Sequence, residues 1–544
     1  MAGSAPQQDK PADTAQGRTV RDAVIDFARR VGMTSIFANP GSTELPMFRD
    51  FPADFRYVLG LHEAVVVGMA DGYAQASGRT ALVNLHSAAG VGNAMGNIFT
   101  AFRNRTPLVI TAGQQARSIL PFDPFLAATQ ATELPKPYVK WSIEPARAED
   151  VPLAIARAWA IAMQEPRGPV FVSIPVDDWD RPSALVPERE VAHVMRPDPA
   201  MLARIGALLD ACERPAFVVG GAVDRAHAVE DVVQLAERHR ARVYVAPMTG
   251  RCSFPETHRL FAGFLPAMRE RIVETLGGHD LVFALGAPAF TYHVEGRGPH
   301  VPPGAPLCQL IDDPGTAAWT PQGLIAVGNV RLGVRDLLAR PAPRERALPA
   351  PRPTPPRALP PSPGERMSVA FALQTLNEAR HSNNGNDIVV EEAPSARPVM
   401  QTYLPIERAG GFLTMDSGGL GYGMPAAVGV ALATPRKRVI ALIGDGSSMY
   451  SIQAIWSAAQ LRLPITFVIL NNTRYAALQD FAPVFGFGPG DPVQGTDLPG
   501  LDFVTIAAGM GCPGVRVSVA SELHGALQNA LSSPGPALVE VVVA

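Results

Sequence analysis

The sequence predicts an α/β protein of three doubly wound, Rossmann-like domains in succession, each a parallel sheet covered by helices. Three observations lead there. From Thr19 onward, short β-branched runs alternate with stretches of helical periodicity, the pattern of parallel strands joined by helical crossovers. A length of 544 residues is too great for one core and calls for about three or four domains. Ten prolines between residues 341 and 363, with few large apolar residues among them, mark an extended, solvated tether between two of those domains.

Taken in order, residues 1–18 are polar and read as a mobile N-terminal tail. The first domain spans 19–182, with strands at 35–38, 80–85, 108–112 and 170–174, and closes at the polar, proline-containing Asp180-Arg181-Pro182. A middle domain, 183–340, has strands at 216–219, 243–246, 281–285 and 307–311 and a helix at 201–212. Its Val219-Gly220-Gly221-Ala222 turn lacks the G-x-G-x-x-G spacing of a dinucleotide site and reads as structural. After the linker 341–364, the last domain runs over 365–544, with strands at 439–443, 465–470 and 537–543 and a helix at 449–461.

Charge and composition narrow the function. Forty-seven basic against 50 acidic residues, net −3, make no electrostatic case for nucleic acid or lipid, so small-molecule chemistry is favoured. No uninterrupted apolar stretch approaches the roughly 18 residues of a membrane helix, and residues 1–18 lack the apolar core of a signal peptide. A soluble, cytoplasmic protein is the expectation. Cys212, Cys252, Cys308 and Cys512 are widely spaced and form no C-x-x-C, which argues against a zinc site or redox dithiol.

The strongest chemical signal is Gly444-Asp445-Gly446-Ser447, followed one helix-length later by Asn471-Asn472. Both fall where apolar strands end, which would set Asp445 and Asn472 side by side at the carboxyl ends of neighbouring parallel strands. A hard divalent cation takes oxygen ligands, here from Asp445, Asn472 and the carbonyl of Arg474, with phosphate oxygens completing its shell. Glycines at 444 and 446 let backbone approach a phosphate at the start of a helix. Either half alone reads as an ordinary tight turn; the two together, at strand-helix-strand spacing, do not.

Other candidates are weaker singly. Glu63 opens an apolar, small-residue helix, as a first-turn acid complementing the helix dipole or as a functional carboxylate. Ser42, in Asn39-Pro40-Gly41-Ser42-Thr43-Glu44, sits at a strand end and also fits helix capping. His86 closes the strand at 80–85, and His293 follows a middle-domain strand. Leu420 is a lone large aliphatic in Gly418-Gly419-Leu420-Gly421.

Joined, these segments resemble the thiamin-diphosphate-dependent 2-oxo-acid decarboxylases, and most closely their benzoylformate-decarboxylating branch. The resemblance runs from about Thr19 to the C-terminus. It is most specific in residues 39–46, in residues 71–77, in residues 84–90, in Thr111-Ala112-Gly113-Gln114-Gln115 and in the 444–447 motif. It implies that the first domain binds a pyrimidine ring, that the last binds the diphosphate and metal, and that the coenzyme lies between subunits of a homotetramer. It implies that Glu63 bonds the aminopyrimidine nitrogen, that the Gly418 carbonyl accepts from the exocyclic amine, and that Leu420 bends the coenzyme. Gly444, Gly446, Ser447, Ser395 and Tyr475 would line the diphosphate, and Mg²⁺ or Ca²⁺ would sit on Asp445, Asn472 and Arg474. Ser42 would orient the substrate carboxylate, His86 and His293 would move protons, and Phe125, Leu126, Leu478 and Phe481 would form the apolar wall.

The likeness has gaps. The adjacent His-His pair of the pyruvate-decarboxylating branch is absent, with Gly113-Gln114-Gln115 in that region. Thr414 and Met415 stand where an aromatic residue and a cysteine are usual, and Asp416 adds an acid, so a reshaped pocket is expected. Arg474 replaces a threonine, which a carbonyl ligand tolerates; Glu391 replaces an asparagine, while Glu392 and Ser395 are retained. Decarboxylation of an aromatic 2-oxo acid such as benzoylformate, with carboligation on the side, is the expected activity. The alternative is a decarboxylase or carboligase for aliphatic or branched 2-oxo acids, of the acetolactate-forming kind. No flavin or nicotinamide signature and no loss of Glu63 or the Asp445–Asn472 pair supports a flavin oxidase, a dehydrogenase or a non-catalytic relative.

Overall fold

Among the described residues every strand pairs in parallel, and the strands fall into three separate six-stranded sheets. The structure, a computed structural model, describes residues 17–383 and 385–544. The tail expected over 1–18 therefore lies almost wholly outside the described residues.

The first sheet holds β1 (Ser35–Ala38), β2 (Arg56–Leu59), β3 (Ala81–Leu85), β4 (Leu108–Gln114), β5 (Ser142–Ile143) and β6 (Val170–Pro175). The second holds β7 (Pro215–Val219), β8 (Arg242–Val245), β9 (Phe261–Phe264), β10 (Leu281–Leu285), β11 (Leu307–Ile311) and β12 (Leu324–Val327). The third holds β13 (Asp387–Glu392), β14 (Phe412–Leu413), β15 (Arg438–Gly444), β16 (Ile465–Asn471), β17 (Gly514–Val517) and β18 (Ala537–Val542). The first and third sheets share one order, β2-β1-β3-β4-β6-β5 and β14-β13-β15-β16-β18-β17. The second, β12-β11-β10-β7-β8-β9, is a doubly wound sheet with its crossover reversal between β10 and β7. Central strands such as β4, β10 and β16 are buried along their length, as parallel strands covered on both faces must be.

Two helices join the first and third sheets' domains backbone to backbone. The helix Glu63–Ser77 and the helix Gly423–Ala433 cross at glycines: a Cβ on Gly72 would fall 2.2 Å from the Ala426 carbonyl oxygen, and one on Gly429 would fall 1.9 Å from that of Met69. Gly423 to Leu432 are all buried, so that helix is apolar on every side. Arg251 ties in the middle sheet's domain. It donates to Asp224 (2.6 Å) and to Gln75 (2.6 Å), and Gln75 donates in turn to the Tyr422 hydroxyl (2.9 Å). The proline-rich stretch is extended, yet it is docked rather than free. Arg346 is buried and donates to the carbonyls of Leu209, Asp210 and Cys212.

Under this junction Asp71 is fully buried and accepts from Gln75, Asn104 and Thr106 (2.6, 3.0 and 2.7 Å). Burial pushes its carboxyl up to about 6, while those three bonds pull the other way. The folded state thus keeps a proton that the unfolded chain releases near pH 4. Stability from this group is greatest below about pH 4 and is lost as pH rises toward about 6. The destabilisation caused by Asp71→Asn, measured by urea unfolding, is expected to be larger near pH 4.5 than near pH 7; a penalty that grows with pH would contradict the assignment.

Among the described residues no helix is long and apolar enough to cross a membrane. All four cysteines are free and buried.

Candidate active site

The C-terminal edge of the first sheet carries one group of candidates, because parallel strands deliver their following loops to one edge. After β1 the chain turns through Gly41 into a short 3-10 turn, Ser42–Glu44. Ser42 is exposed, whereas Glu44 is 1% exposed. The Glu44 carboxylate accepts from the Gly41 N–H (2.8 Å), the Thr43 hydroxyl (2.7 Å) and the Gly113 N–H at the end of β4 (2.9 Å). Its fourth partner is Nδ1 of His86, at 2.8 Å, from the end of β3. The cap of this turn is Gly41 rather than Ser42, and Glu44 closes the turn by bonding the Gly41 N–H.

Glu63 stands in the first turn of its helix, half-buried, with His62 as the cap accepting from the Ala64 N–H (3.1 Å). Its Oε2 accepts from Asn93 (3.1 Å), and its Oε1 lies where a side chain on Gly90 would crowd it, 3.2 Å from that Cβ position. Phe125 and Leu126 sit in the loop beyond β4. Phe125 is 86% exposed. The Gln115 amide holds the Phe125 carbonyl (2.8 Å), and the Ser87 hydroxyl holds that of Leu126 (2.5 Å).

The C-terminal edge of the third sheet carries the second group. β15 and β16 are parallel neighbours, and Asp445 and Asn472 follow directly after them. Asp445 accepts from the Gly446 N–H (2.7 Å), and both Asp445 and Asn472 accept weakly from the Arg474 N–H (3.3 and 3.2 Å). Burial raises the Asp445 carboxyl above the ordinary aspartate value. The asparagine pair divides its labour: Asn471 is spent on buried Glu540 (2.7 Å) and on the Thr473 N–H, whereas the Asn472 side chain takes only the weak bond from Arg474 among the described residues. A Cβ on Gly446 would fall 2.2 Å from the Tyr475 ring, so any side chain there would displace that ring. Gly444 caps the short helix Asp445–Ser448, where Ser447 is buried. Ser395 accepts from the Ala477 N–H (3.0 Å) at the start of the helix Ala476–Phe481.

Gly418 is exposed with φ +74°, and Leu420 is half-buried against the core. Buried Glu392 clamps the end of this turn, accepting from the N–H groups of Gly421, Tyr422 and Gly423 (2.7, 2.7 and 2.5 Å). Burial pushes its carboxyl up to about 7.

His293, from the middle sheet's domain, stacks on Phe481, with ring centroids 4.8 Å apart and planes 15° from parallel. Leu478 lies exposed on the same short helix. His86 and His293 thus belong to different groups. Among the described residues, no hydrogen bond within the chain joins Ser42, Glu63 and His86 directly to Asp445, Asn472 and His293.

Three expectations need correction. Thr414 and Met415 do not reshape a pocket, being 2% and 4% exposed. The Thr414 hydroxyl is engaged by Arg397 and the Glu391 carbonyl (2.6 and 2.7 Å), and Arg397 also neutralises Glu391. Asp416 faces the middle sheet's domain: a Cβ on Gly250 would fall 2.5 Å from its Oδ1. The expected helix over 449–461 is also broken, with only Ala454–Gln460 helical after the Asp445–Ser448 turn.

Sequence reasoning missed Glu44 as the partner of His86 and Glu392 as a clamp. It also missed a polar face along the helix Ser87–Arg103 and its C-cap Asn104. There Asn93 reaches Glu63, Asn97 bridges the carbonyls of Ala64 and Gly421, Thr100 meets Ser417, and Asn104 accepts from the Asp416 N–H. The signal was present, since positions 93, 97, 100 and 104 recur at helical spacing.

Three family models match in the order of the three sheets: the thiamine pyrophosphate enzyme N-terminal TPP binding domain over residues 18–133, the central domain over 202–337 and the C-terminal TPP binding domain over 395–541. Fold and site together define a thiamine pyrophosphate enzyme. The chain is 46% identical over 528 residues to benzoylformate decarboxylase of Pseudomonas aeruginosa, covering 96% of this chain and 98% of the relative. Among solved structures, a 4-hydroxybenzoylformate decarboxylase of Rhodococcus jostii is 40% identical with a TM-score of 0.92, covering 97% of this chain and 99% of that one. Benzoylformate decarboxylase of Polynucleobacter necessarius is 38% identical, also with a TM-score of 0.92, covering 97% and 98%. This chain belongs to the thiamin-diphosphate-dependent 2-oxo-acid decarboxylase family.

Proposed function

We propose that the protein decarboxylates an aromatic 2-oxo acid of the benzoylformate type to the aldehyde and carbon dioxide. The observation that carries this reading is the His293–Phe481 stack. It sets an imidazole against a flat apolar wall on the helix that follows the Asn472–Tyr475 loop. Leu478 extends that wall, and Phe125 and Leu126 supply a second from the first sheet's edge. Aromatic packing of this kind is worth about 0.5–1.5 kcal/mol beyond area burial, enough to favour a phenyl over a methyl substituent.

The residues present fit thiamin diphosphate. Asp445, Asn472 and the Arg474 carbonyl form an all-oxygen donor set for Mg²⁺ or Ca²⁺. No cluster of three His, Cys, Asp or Glu side chains competes for the ion among the described residues. Gly444, Gly446, Ser447, Ser395 and Tyr475 would line the diphosphate, and Gly418 and Leu420 would hold the rings. When bound, the coenzyme supplies the electron sink that loss of carbon dioxide requires. Glu63, with Oε2 engaged by Asn93, would hold a proton at Oε1 toward the coenzyme's ring nitrogen. The exposed Ser42 hydroxyl would orient the substrate carboxylate, while His86 and His293 would move protons at the substrate's carbonyl oxygen and carbon. A homotetramer with sites between subunits, in the cytoplasm, completes the reading. Exposed Leu45, Phe122, Val484 and Phe485, apolar surface that a neighbouring subunit would cover, support the assembly.

His86→Ala and His293→Ala are each expected to lower kcat by about 10²–10⁴-fold, the reach of general acid–base catalysis; a wild-type rate in either removes that residue from the chemistry. A panel of 2-oxo acids tests the substrate. Benzoylformate is expected to yield benzaldehyde and carbon dioxide faster than pyruvate yields any product. A second reading, carboligation of an aliphatic 2-oxo acid, draws on 29% identity over 541 residues to a putative acetolactate synthase large subunit of Mycobacterium tuberculosis. Acetolactate formed from pyruvate as the main product would establish that reading and overturn the first.

A further inference from the structure

We propose that Glu44 is a positioning residue that locks His86 in one tautomer and one orientation, an inference that rests on the catalytic reading of His86 given above. A carboxylate only accepts hydrogen bonds, so the 2.8 Å contact requires His86 to donate from Nδ1. Nε2 is then the one ring atom free to gain or lose a proton. Oε1 is held by Thr43 and Gly113, and Oε2 by Gly41 and His86. With each oxygen already committed, the carboxylate cannot rotate without abandoning a buried N–H.

The surroundings are cut to fit this pair. A Cβ on Gly41 would fall 2.1 Å from the His86 Nδ1, and one on Gly113 would fall 2.1 Å from the Glu44 Oε1. Either side chain would occupy the space of the carboxylate or the ring. On the far side Ser87 is held at φ +49°, a conformation that L-residues seldom adopt, and its hydroxyl fixes the Leu126 carbonyl (2.5 Å). The same Glu44 anchors the Gly41 N–H, one residue before Ser42. One buried acid therefore sets both the proton-transfer ring and the turn beside it.

Glu44→Gln separates this role from simple turn-capping. A carboxamide has one oxygen for two pairs of donors. If it serves Thr43 and Gly113, its NH₂ faces His86 and stabilises the opposite tautomer, with the proton on Nε2. Decarboxylation of benzoylformate is expected to fall about 10²-fold in kcat, within the range set by misplacing a general acid–base group. In the His86→Ala background the same substitution is expected to change kcat by less than about 3-fold, because coupled residues are not additive. Equal losses in both backgrounds would assign Glu44 to the turn alone and overturn the proposal.

A second readout does not depend on turnover. Carbethoxylation of His86 in the holoenzyme by diethyl pyrocarbonate, followed by peptide mass spectrometry, needs an unprotonated Nε2 facing the reagent. It is expected to slow about 10-fold or more in Glu44→Gln, because the carboxamide favours the tautomer protonated on Nε2 and a preference of about 1.4 kcal/mol suffices for that factor. An unchanged rate overturns the positioning role. If the wild-type protein fails to decarboxylate aromatic 2-oxo acids, the functional reading falls while the modification rates still decide the Glu44–His86 pair.

Discussion

Glu63→Gln is expected to fold and assemble like the wild type and to lose about 10²–10⁴-fold or more in turnover, the scale of a lost proton-transfer group. The size of each effect follows from where Glu63 sits. As a first-turn acid it contributes about 0.3–1 kcal/mol through the helix dipole, and the carboxamide forfeits no more than that. The cap at His62 and the bond from Asn93 can both persist, since the amide retains an accepting oxygen. What the amide cannot do is exchange a proton at Oε1. A thermal midpoint near that of the wild type together with a collapsed kcat therefore marks a catalytic carboxylate. Near-normal turnover would reduce Glu63 to the dipole role that its position also allows.

Gly429→Ala is expected to be strongly destabilising, although alanine is the better helix former. Helix propensity favours the substitution by about 0.8–1 kcal/mol. The added methyl would lie 1.9 Å from the Met69 carbonyl oxygen and 2.5 Å from the Tyr73 nitrogen, both backbone atoms of a buried helix that cannot swing aside. Overpacking of that kind costs typically about 1–3 kcal/mol and more when backbone must move, so the clash wins. The helix crossing is also the seam between the first and third sheets' domains, so the loss should appear as weakened coenzyme retention as well as a lower unfolding midpoint. Gly525→Ala, in the helix Ala520–Leu531 with nothing within 4 Å of its Cβ position, serves as the control and should be neutral or stabilising. Equal behaviour of the two variants would show that the helices are not in backbone contact.

Strand ends were the legible part of the site. Apolar runs at 439–443 and 465–470 announced β15 and β16, and the residues directly after them, Asp445 and Asn472, could be placed side by side without any tertiary information. Ser42 and His86 were legible for the same reason. β2 was not, because Arg56–Leu59 is a partly exposed edge strand with little apolar run to read. β13 was missed because it ends in two carboxylates; Glu391 is tolerable there through Arg397 and the Ala393 N–H, and Glu392 through the three N–H groups near Gly421. Glu44 read as a cap since its partners Gly113 and His86 lie 69 and 42 residues away. Thr414 and Met415 misled in the opposite direction: similarity of position suggested a pocket wall, and burial removed both from it. Periodicity reports local faces, whereas a buried carboxylate is explained by donors that only the fold assembles.

Complementation between inactive variants tests most directly whether one coenzyme site is built from two chains. Glu63→Gln and Asp445→Ala are each expected to be inactive as homo-oligomers. If Glu63 of one subunit serves the same site as Asp445 of its neighbour, a mixed pair concentrates both lesions in one site and leaves the other intact. Co-expressed in equal amounts, the two variants are then expected to recover about a quarter of wild-type activity, the share of intact sites in randomly paired dimers. If each chain builds its own site, every site carries a lesion, and activity that stays at the level of the separate variants would contradict the two-chain site.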